Sequence, residues 1–233
     1  MKPELVVMLT HHDQTVQNAL EMFEEMKSTP VQHWGFKDVG LPPEEMKNLV
    51  KHMKDAGKTT HLEVVSLSEE EGLAGARLAV ESGFDYLVGT VYFDSIHEYL
   101  KDKPIRYFPF PGHVHSHPSV LDGTIEEIVA DAHRLEAKGV HGLDLLAYRF
   151  VGNAEDLLRE VVNAVNVPVV AAGSIGSYDR IARVWETQAW GFTIGSAFFE
   201  KKFVPDGSFQ DNMMLVWDWL ETTKESELGK YIS

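Results

Sequence analysis

Three ionisable side chains lie inside apolar runs of the sequence, where a charge is costly. Lys37 closes the segment HWGFK, Glu63 lies within HLEVV, and Asp144 lies within GLDLL. A charge in a buried parallel strand cannot face packed helices cheaply, so each side chain should point into a shared interior. Two carboxylates facing each other can act as acid and base on one carbon, and a lysine can hold or polarise a carbonyl. We therefore predict Asp144, Glu63 and Lys37 as catalytic residues. Schiff-base chemistry also remains open for Lys37.

Two turns rich in glycine and serine have the composition of a phosphate cradle. One apolar segment, VPVVAA, leads into Gly173-Ser174, and another, GFTI, leads into Gly195-Ser196. A phosphate needs several backbone N–H groups aimed at one point, and a side chain on the turn would block its approach. These four residues are therefore predicted to bind phosphate. The alternative is that the glycines only permit tight turns and helix packing.

A histidine-rich run, GHVHSHP, is compatible with substrate binding or with a metal. If the run is extended, His113, His115 and His117 share one face, which is a possible zinc, iron or nickel site. His11 follows the first apolar run, and the planar fork of Arg149 suits a carboxylate or a second phosphate. We predict His11, His113, His115 and Arg149 as substrate-binding residues. We expect no cofactor; the alternative is a divalent metal on His113, His115 and His117.

The elements that must position these residues follow from the spacing of the apolar runs. Eight predicted strands alternate with amphipathic helical stretches, with no long linker between them. The strands span Leu5–Thr10, Val31–Lys37, Thr60–Ser66, Tyr86–Val91, Ile105–Pro109, Gly142–Ala147, Pro168–Ala172 and Gly191–Gly195. This pattern predicts an α/β protein with one domain over residues 1–233, a (β/α)₈ TIM barrel of eight parallel strands. An open doubly wound sheet is the alternative. In a barrel, all candidate residues at strand ends open onto one mouth.

Local signals predict where the helices begin and end. Three Ser/Thr-to-Glu pairs have capping-box spacing: Ser68 with Glu71, Ser95 with Glu98, and Thr124 with Glu127. Pro42 and Pro43 suit a first helical turn, and Gly57, Gly83 and Gly139 suit helix ends. The C-terminal segment Phe209–Thr223 is predicted to be a helix that covers the outside of the barrel.

Composition excludes several classes of protein and partner. The chain has no cysteine, which excludes disulfides and thiolate metal sites. A net charge of −15 would repel nucleic acid, and no apolar run approaches the length of a membrane helix. We therefore expect a cytoplasmic protein that binds neither nucleic acid nor membrane. Exposed aromatic residues near the C-terminus, Phe203, Trp217 and Trp219, suggest a possible homodimer.

Residues 168–202 resemble the ribulose-phosphate-binding group within the phosphate-binding TIM-barrel superfamily. The group includes isomerases of histidine and tryptophan biosynthesis, sugar-phosphate epimerases and decarboxylases of phosphorylated keto acids. The resemblance implies that Gly173, Ser174, Gly195 and Ser196 contact a phosphate, and it leaves the reaction open. We expect an isomerase, epimerase or lyase of the aldolase or decarboxylase type that acts on a small phosphorylated sugar or keto acid. The alternatives are a non-catalytic phosphometabolite-binding regulator and a metal-dependent hydrolase or lyase built on the histidine run.

Overall fold

Eight parallel strands form the centre of the molecule in the computed structural model, which describes residues 1–232. In chain order they are β1 Glu4–Met8, β2 His33–Lys37, β3 Thr59–Val64, β4 Tyr86–Val91, β5 Arg106–Phe110, β6 Leu143–Leu145, β7 Val169–Ala171 and β8 Gly191–Ile194. Each predicted strand overlaps one of these, and the differences are confined to the strand ends. No helix among residues 1–232 combines the length and apolarity needed to cross a bilayer.

The sheet closes into a barrel, as predicted. The hydrogen-bonded order is β6-β7-β8-β1-β2-β3-β4-β5, and the remaining seam lies between β5 and β6. There the backbone N–H of His141, just before β6, donates to the carbonyl of Tyr107 on β5 at 3.0 Å. This bond joins the two edges of the sheet, so the open doubly wound alternative is wrong.

Side chains alternate between the barrel interior and the helical layer, because successive residues of a strand point to opposite faces. On β2, Trp34 and Phe36 are fully buried in the main core between strands and helices. Lys37, at the end of the same strand, lines the barrel mouth. Below the mouth, aromatic rings fill the barrel interior. The Phe108 ring packs directly against Gly142, since a Cβ on Gly142 would lie only 2.4 Å from that ring.

Nine α-helices are present among the described residues. They are α1 Ala19–Met26, α2 Pro43–Asp55, α3 Glu69–Ser82, α4 Asp94–Leu100, α5 Ile125–Lys138, α6 Ala154–Ala164, α7 Tyr178–Glu186, α8 Ser196–Phe199 and α9 Phe209–Thr222. Two short hairpins interrupt this pattern: Thr10–His11 pairs with Gln14–Thr15, and His113–His115 pairs with Val120–Asp122. Short 3₁₀ helices span Ala147–Arg149 and Glu225–Lys230.

The predicted helix caps are confirmed in part. Thr124 and Glu127 form a complete capping box at the start of α5. Ser68 caps α3 by accepting from the Glu71 N–H, but the reciprocal bond is absent because the Ser68 N–H donates to Ser66. The prediction for Ser95 is wrong: α4 already begins at Asp94, so the Ser95 hydroxyl donates to Glu69 of α3 instead.

The remaining boundary signals are confirmed. Pro42 and Pro43 stand at the start of α2. The backbone φ values of Gly57, Gly83 and Gly139 are positive, between 74° and 86°, as the end of a helix requires.

The C-terminal segment forms α9, a helix whose buried side chains, Met213, Val216 and Leu220, join the main core. The predicted exposure of the nearby aromatic residues is wrong, because they are partly buried against the chain itself. Trp219 packs on Tyr178 with ring centroids 5.3 Å apart, and Phe203 packs on the same ring at 5.3 Å. These aromatics stabilise the attachment of the C-terminal segment to α7.

The difference between a real and an apparent cap is measurable. Thr124→Ala should lower the free energy of unfolding by about 1 kcal/mol, since it removes a side-chain acceptor from a helix N-terminus. Ser95→Ala removes an exposed hydrogen bond that caps nothing and should change stability by less than about 0.5 kcal/mol. Urea unfolding of the two variants measures both values; equal losses would contradict the observed start of α4.

Candidate functional site

A cavity of about 280 Å³ opens at the carboxyl ends of the strands. Its wall on one side consists of the two glycine-serine turns after β7 and β8. Its other side carries Asp13, Lys37, Glu63 and Arg149, which come from four different parts of the chain. We call this space the mouth cavity. The predicted catalytic residues Lys37 and Glu63 and the predicted binding residue Arg149 therefore lie in the same space as the predicted phosphate turns.

A network of charges links four ionisable residues that line the mouth cavity. The Lys37 Nζ donates to Asp13 Oδ1 at 2.6 Å and lies 3.3 Å from Glu63 Oε1. The two terminal nitrogens of Arg149 donate to the two carboxylate oxygens of Asp13, both at 3.1 Å. Asp13 and Lys37 are only 8% and 7% exposed. Asp13 thus joins two cations that would otherwise repel each other.

The network determines which of these groups carry charge at neutral pH. Burial acts to raise the pKa of Asp13, but hydrogen bonds from Arg149 and Lys37 outweigh it and lower that pKa to about 2. Burial likewise acts to lower the pKa of Lys37, and the carboxylates of Glu63 and Asp13 outweigh it, so that the pKa of Lys37 is raised. Lys37 is therefore an ammonium ion, which favours holding an anionic oxygen over acting as a base or a Schiff-base amine.

Asp144 lies deeper than the other candidates and does not line the mouth cavity. It is 2% exposed, and its Oδ1 has no hydrogen-bond partner among the described residues. Burial, together with the nearby Glu63 carboxylate, raises the pKa of Asp144 well above its ordinary value. The Asp144 side chain is buried in the barrel and does not reach the mouth cavity, so the expected placement of Asp144 and Glu63 on opposite sides of a substrate is wrong.

The two glycine-serine turns line the mouth cavity, and other parts of the chain approach their glycines closely. A Cβ at Gly195 would lie 2.6 Å from Thr10 Oγ1, and one at Gly173 would lie 2.7 Å from Arg149 Cγ. Glycine is therefore needed because the end of β1 and the Arg149 side chain approach the turns, which corrects the argument from phosphate access alone. Ser196 begins α8, so its backbone N–H has no acceptor within that helix.

The predicted histidines are not part of the mouth cavity lining. His11 stacks on His12 and Phe199, with ring centroids 3.7 Å and 5.1 Å apart. His113 and His115 lie on the second hairpin, where His115 Nδ1 is 2.8 Å from the Ser116 hydroxyl. Among residues 1–232, no three His, Cys, Asp or Glu side chains are grouped as a metal site.

Sequence reasoning missed Asp13, the central member of the charge network. It lies in the turn of the first hairpin with a backbone φ of 63°, a left-handed conformation that aspartate tolerates better than most residues. The available signal was its position in THHDQ, a few residues beyond the first predicted strand. Gly176 and Ala197, which also line the phosphate side of the cavity, were missed as well.

Comparison with known proteins adds a short sequence match. No family model matches the chain. A stretch of 52 residues is 36% identical to a phosphoribosyl imidazole-4-carboxamide isomerase of Methanocella arvoryzae. That match covers 22% of this chain and 22% of the isomerase, so it spans about a fifth of either protein.

Solved structures with the same fold share little sequence with this chain. Orotidine 5′-phosphate decarboxylase from Pyrococcus horikoshii is matched with a TM-score of 0.67 and 12% identity, over 94% of this chain and all of that one. N-acetylmannosamine-6-phosphate 2-epimerase from Clostridium perfringens is matched with a TM-score of 0.61 and 11% identity, over 92% of each. FabK from Thermotoga maritima has a TM-score of 0.57 and 13% identity over 84% of this chain, which spans 59% of FabK.

The class of protein follows from these matches at the level of the fold. The chain is an α/β barrel, and solved structures that share this fold include a decarboxylase and an epimerase of phosphorylated compounds.

The charge network predicts a specific response to acid. Since the pKa of Asp13 is lower in the folded chain than in an unfolded one, its ionisation stabilises the fold above about pH 4. That contribution is lost as the pH falls toward 2. The stability gap between wild type and Asp13→Asn should therefore shrink between about pH 4 and pH 2.5, as measured by urea unfolding.

A matched control is Asp156→Asn, which removes an exposed carboxylate paired with Arg159 on α6. Its stability gap from wild type should be small at every pH, because exposed ion pairs contribute little. A gap for Asp13→Asn that stays constant down to pH 2.5 would contradict the buried network.

Proposed function

We propose that the chain is an enzyme that binds a small phosphorylated carbonyl compound in the mouth cavity and moves a proton on the carbon beside the carbonyl. One observation carries this proposal: the glycine-serine turns line the same cavity as Lys37, Glu63 and Arg149. A phosphate held at the turns would anchor the substrate, so that its binding energy orients the reacting carbon toward these side chains.

The geometry supports a distinct role for each side chain. Glu63 would take the proton from carbon, the bond electrons would move to the carbonyl oxygen, and the Lys37 ammonium would stabilise the resulting enolate. Return of the proton to a neighbouring carbon or to the other face gives isomerisation or epimerisation. Aldol cleavage or decarboxylation forms the same enolate with electrons from a carbon–carbon bond. Arg149 would hold a substrate anion, and Asp144 would act only through its neighbours.

The names of similar proteins agree with this class of chemistry. They include an isomerase, a phosphate-ester decarboxylase and a sugar-phosphate epimerase. The proposed class therefore joins isomerases, epimerases and lyases of phosphorylated sugars or keto acids.

A negative charge placed in the cradle should abolish phosphate binding without harming the fold. Ser196→Asp puts a carboxylate at the start of α8, where an acidic residue favours the helix and repels a phosphate. In a thermal-shift screen of phosphorylated sugars and keto acids, a ligand at about 100 times its dissociation constant should stabilise wild type by about 2.7 kcal/mol, or roughly 5–10 °C. Ser196→Asp should lose this shift.

The matched control is Ser177→Asp, which adds the same charge at the N-cap of α7, outside the mouth cavity. Aspartate is as good a cap as serine, so the ligand shift should persist. Equal ligand shifts in both variants would contradict phosphate binding at the turns.

Proton transfer can be followed separately from binding. When the compound that stabilises wild type is incubated with enzyme in D₂O, NMR should show deuterium replacing the hydrogen beside the carbonyl. Glu63→Gln keeps the shape of the side chain and removes the base, so it should slow this exchange by at least about 100-fold. Binding of the compound should change much less.

Glu70→Gln, on the exposed surface of α3, is the control and should exchange at the wild-type rate. Binding without exchange in wild type would contradict the enzymatic proposal and would favour the phosphometabolite-binding regulator.

A further inference from the structure

A second cavity of about 920 Å³ lies beside the barrel mouth, along helices α2 and α3. We call it the α2–α3 groove. It shares no lining residue with the mouth cavity: Asp13 and Ser119 line the mouth, whereas Gln14, next to Asp13, and Ser116, three residues before Ser119, line the groove. The first hairpin and the segment after the second hairpin's first strand thus form a partition between the two spaces. The proposed substrate site does not account for the groove.

The inner end of the groove contains a carboxylate without an ionic partner. Asp38 follows Lys37 directly, but it faces the groove instead of the mouth. Its Oδ1 accepts a hydrogen bond from the Val65 N–H at 3.1 Å. Its Oδ2 lies 3.5 Å from the position that a Cβ on Gly75 would take. Among residues 1–232, Asp38 forms no ion pair within 4.0 Å.

The surroundings of Asp38 raise the pKa of its carboxyl group. Burial, opposed by the Val65 hydrogen bond and reinforced by the nearby Glu63 carboxylate, raises the pKa of Asp38 to about 6. At neutral pH the group is therefore a carboxylate in a poorly solvated position. A partly buried carboxylate in that state is stabilised by a donor or a cation that reaches its second oxygen, Oδ2.

The other charged groups along the groove leave it with an excess of negative charge. Three carboxylates, including Asp38, face two cations and one histidine; the other members are Glu71, Glu81, Lys47, Arg77 and His117. Lys47 is already paired with Glu44 at 3.0 Å, and Glu71 accepts from the Ser68 hydroxyl at 3.1 Å. The whole chain carries −15. Charge complementarity therefore favours a cationic ligand and disfavours a second phosphate.

The rest of the lining is apolar and determines the shape of a suitable ligand. Val39 and Pro43 come from the loop after β2 and the start of α2, while Leu67 and Leu78 come from the other side of the groove. Such a surface binds the hydrocarbon part of a ligand, and the Asp38 carboxylate fixes the orientation of that ligand.

We propose that the α2–α3 groove binds an organic ammonium compound, with its nitrogen donating to the free oxygen of Asp38 and its apolar body packed against Val39, Leu67 and Leu78. The groove is then a second ligand site, separate from the phosphate-binding mouth. Asp38 and Lys37 are adjacent in the chain, so a ligand in the groove would change the surroundings of Lys37 at the end of β2.

Hexylammonium and 1-hexanol make a matched pair of probes, since they share a hydrocarbon chain and differ in charge. In a two-dimensional ¹H–¹⁵N NMR titration, hexylammonium should shift the amides of Val65 and Ala74 and bind wild type about tenfold or more tightly than 1-hexanol, as a charge-assisted hydrogen bond allows. Asp38→Asn should abolish this difference, whereas Glu45→Gln, on the exposed face of α2, should preserve it.

The pH dependence tests the same contact in wild type alone, whether or not the Asn variant folds. Hexylammonium is charged throughout the range, so its advantage over 1-hexanol should fall as Asp38 is protonated below about pH 6. Equal affinities of the two probes at pH 7.5 would overturn the proposal. An affinity ratio of hexylammonium to 1-hexanol that is unchanged between pH 7.5 and pH 5 would also overturn it, as would the absence of shifts at the groove amides.

Discussion

The Asp13 carboxylate, shared between Lys37 and Arg149, is the interaction on which the mouth of this barrel depends. Asp13 belongs to the hairpin after β1, Lys37 ends β2, and Arg149 follows β6, so one buried anion fixes three distant segments around the same cavity. Buried charges are tolerated only when they are paired, and removal of one partner of such a group typically costs about 3–5 kcal/mol. The network therefore holds the mouth in a single arrangement.

The same network gives Lys37, Glu63 and Asp144 different surroundings, although all three are ionisable residues within apolar runs of the sequence. Lys37 stays protonated because two carboxylates surround it. Burial and the nearby Glu63 carboxylate raise the pKa of Asp144, one of whose oxygens has no hydrogen-bond partner among the described residues. Glu63 reaches the cavity next to the Lys37 ammonium. Two carboxylates of the barrel interior thus differ in depth and in neighbours: Glu63 lines the mouth cavity and Asp144 does not.

Much of the fold could be predicted because its signals are local and periodic. Each strand shows its apolar run, and Thr124 with Glu127 forms the capping box that their spacing indicates. Ser95 shows the limit of such signals, since a preceding residue already starts the helix. Lys37 and Glu63, whose residue types are unusual for a buried strand, line the mouth cavity, whereas Asp144, chosen by the same argument, does not.

Asp13 could not be found in this way because its role depends on contacts with residues 24 and 136 positions away along the chain. The same reason explains why the histidines were predicted to bind substrate although they do not line the mouth cavity. Their spacing in an extended run would align them, but the hairpin at His113–His115 takes them away from the mouth. Loop conformation follows from tertiary contacts, and a single sequence contains no direct signal for them.

In the proposed function, one ligand spans the two glycine-serine turns and the charged residues of the mouth cavity. The most direct measurement is an NMR titration with dihydroxyacetone phosphate that follows the amides of Ser174, Gly176, Ser196 and Ala197 together with the side-chain signals of Lys37 and Glu63. If one ligand spans both groups, all of these signals should shift with one common dissociation constant. Shifts confined to Lys37 and Glu63, or two unrelated dissociation constants, would contradict it.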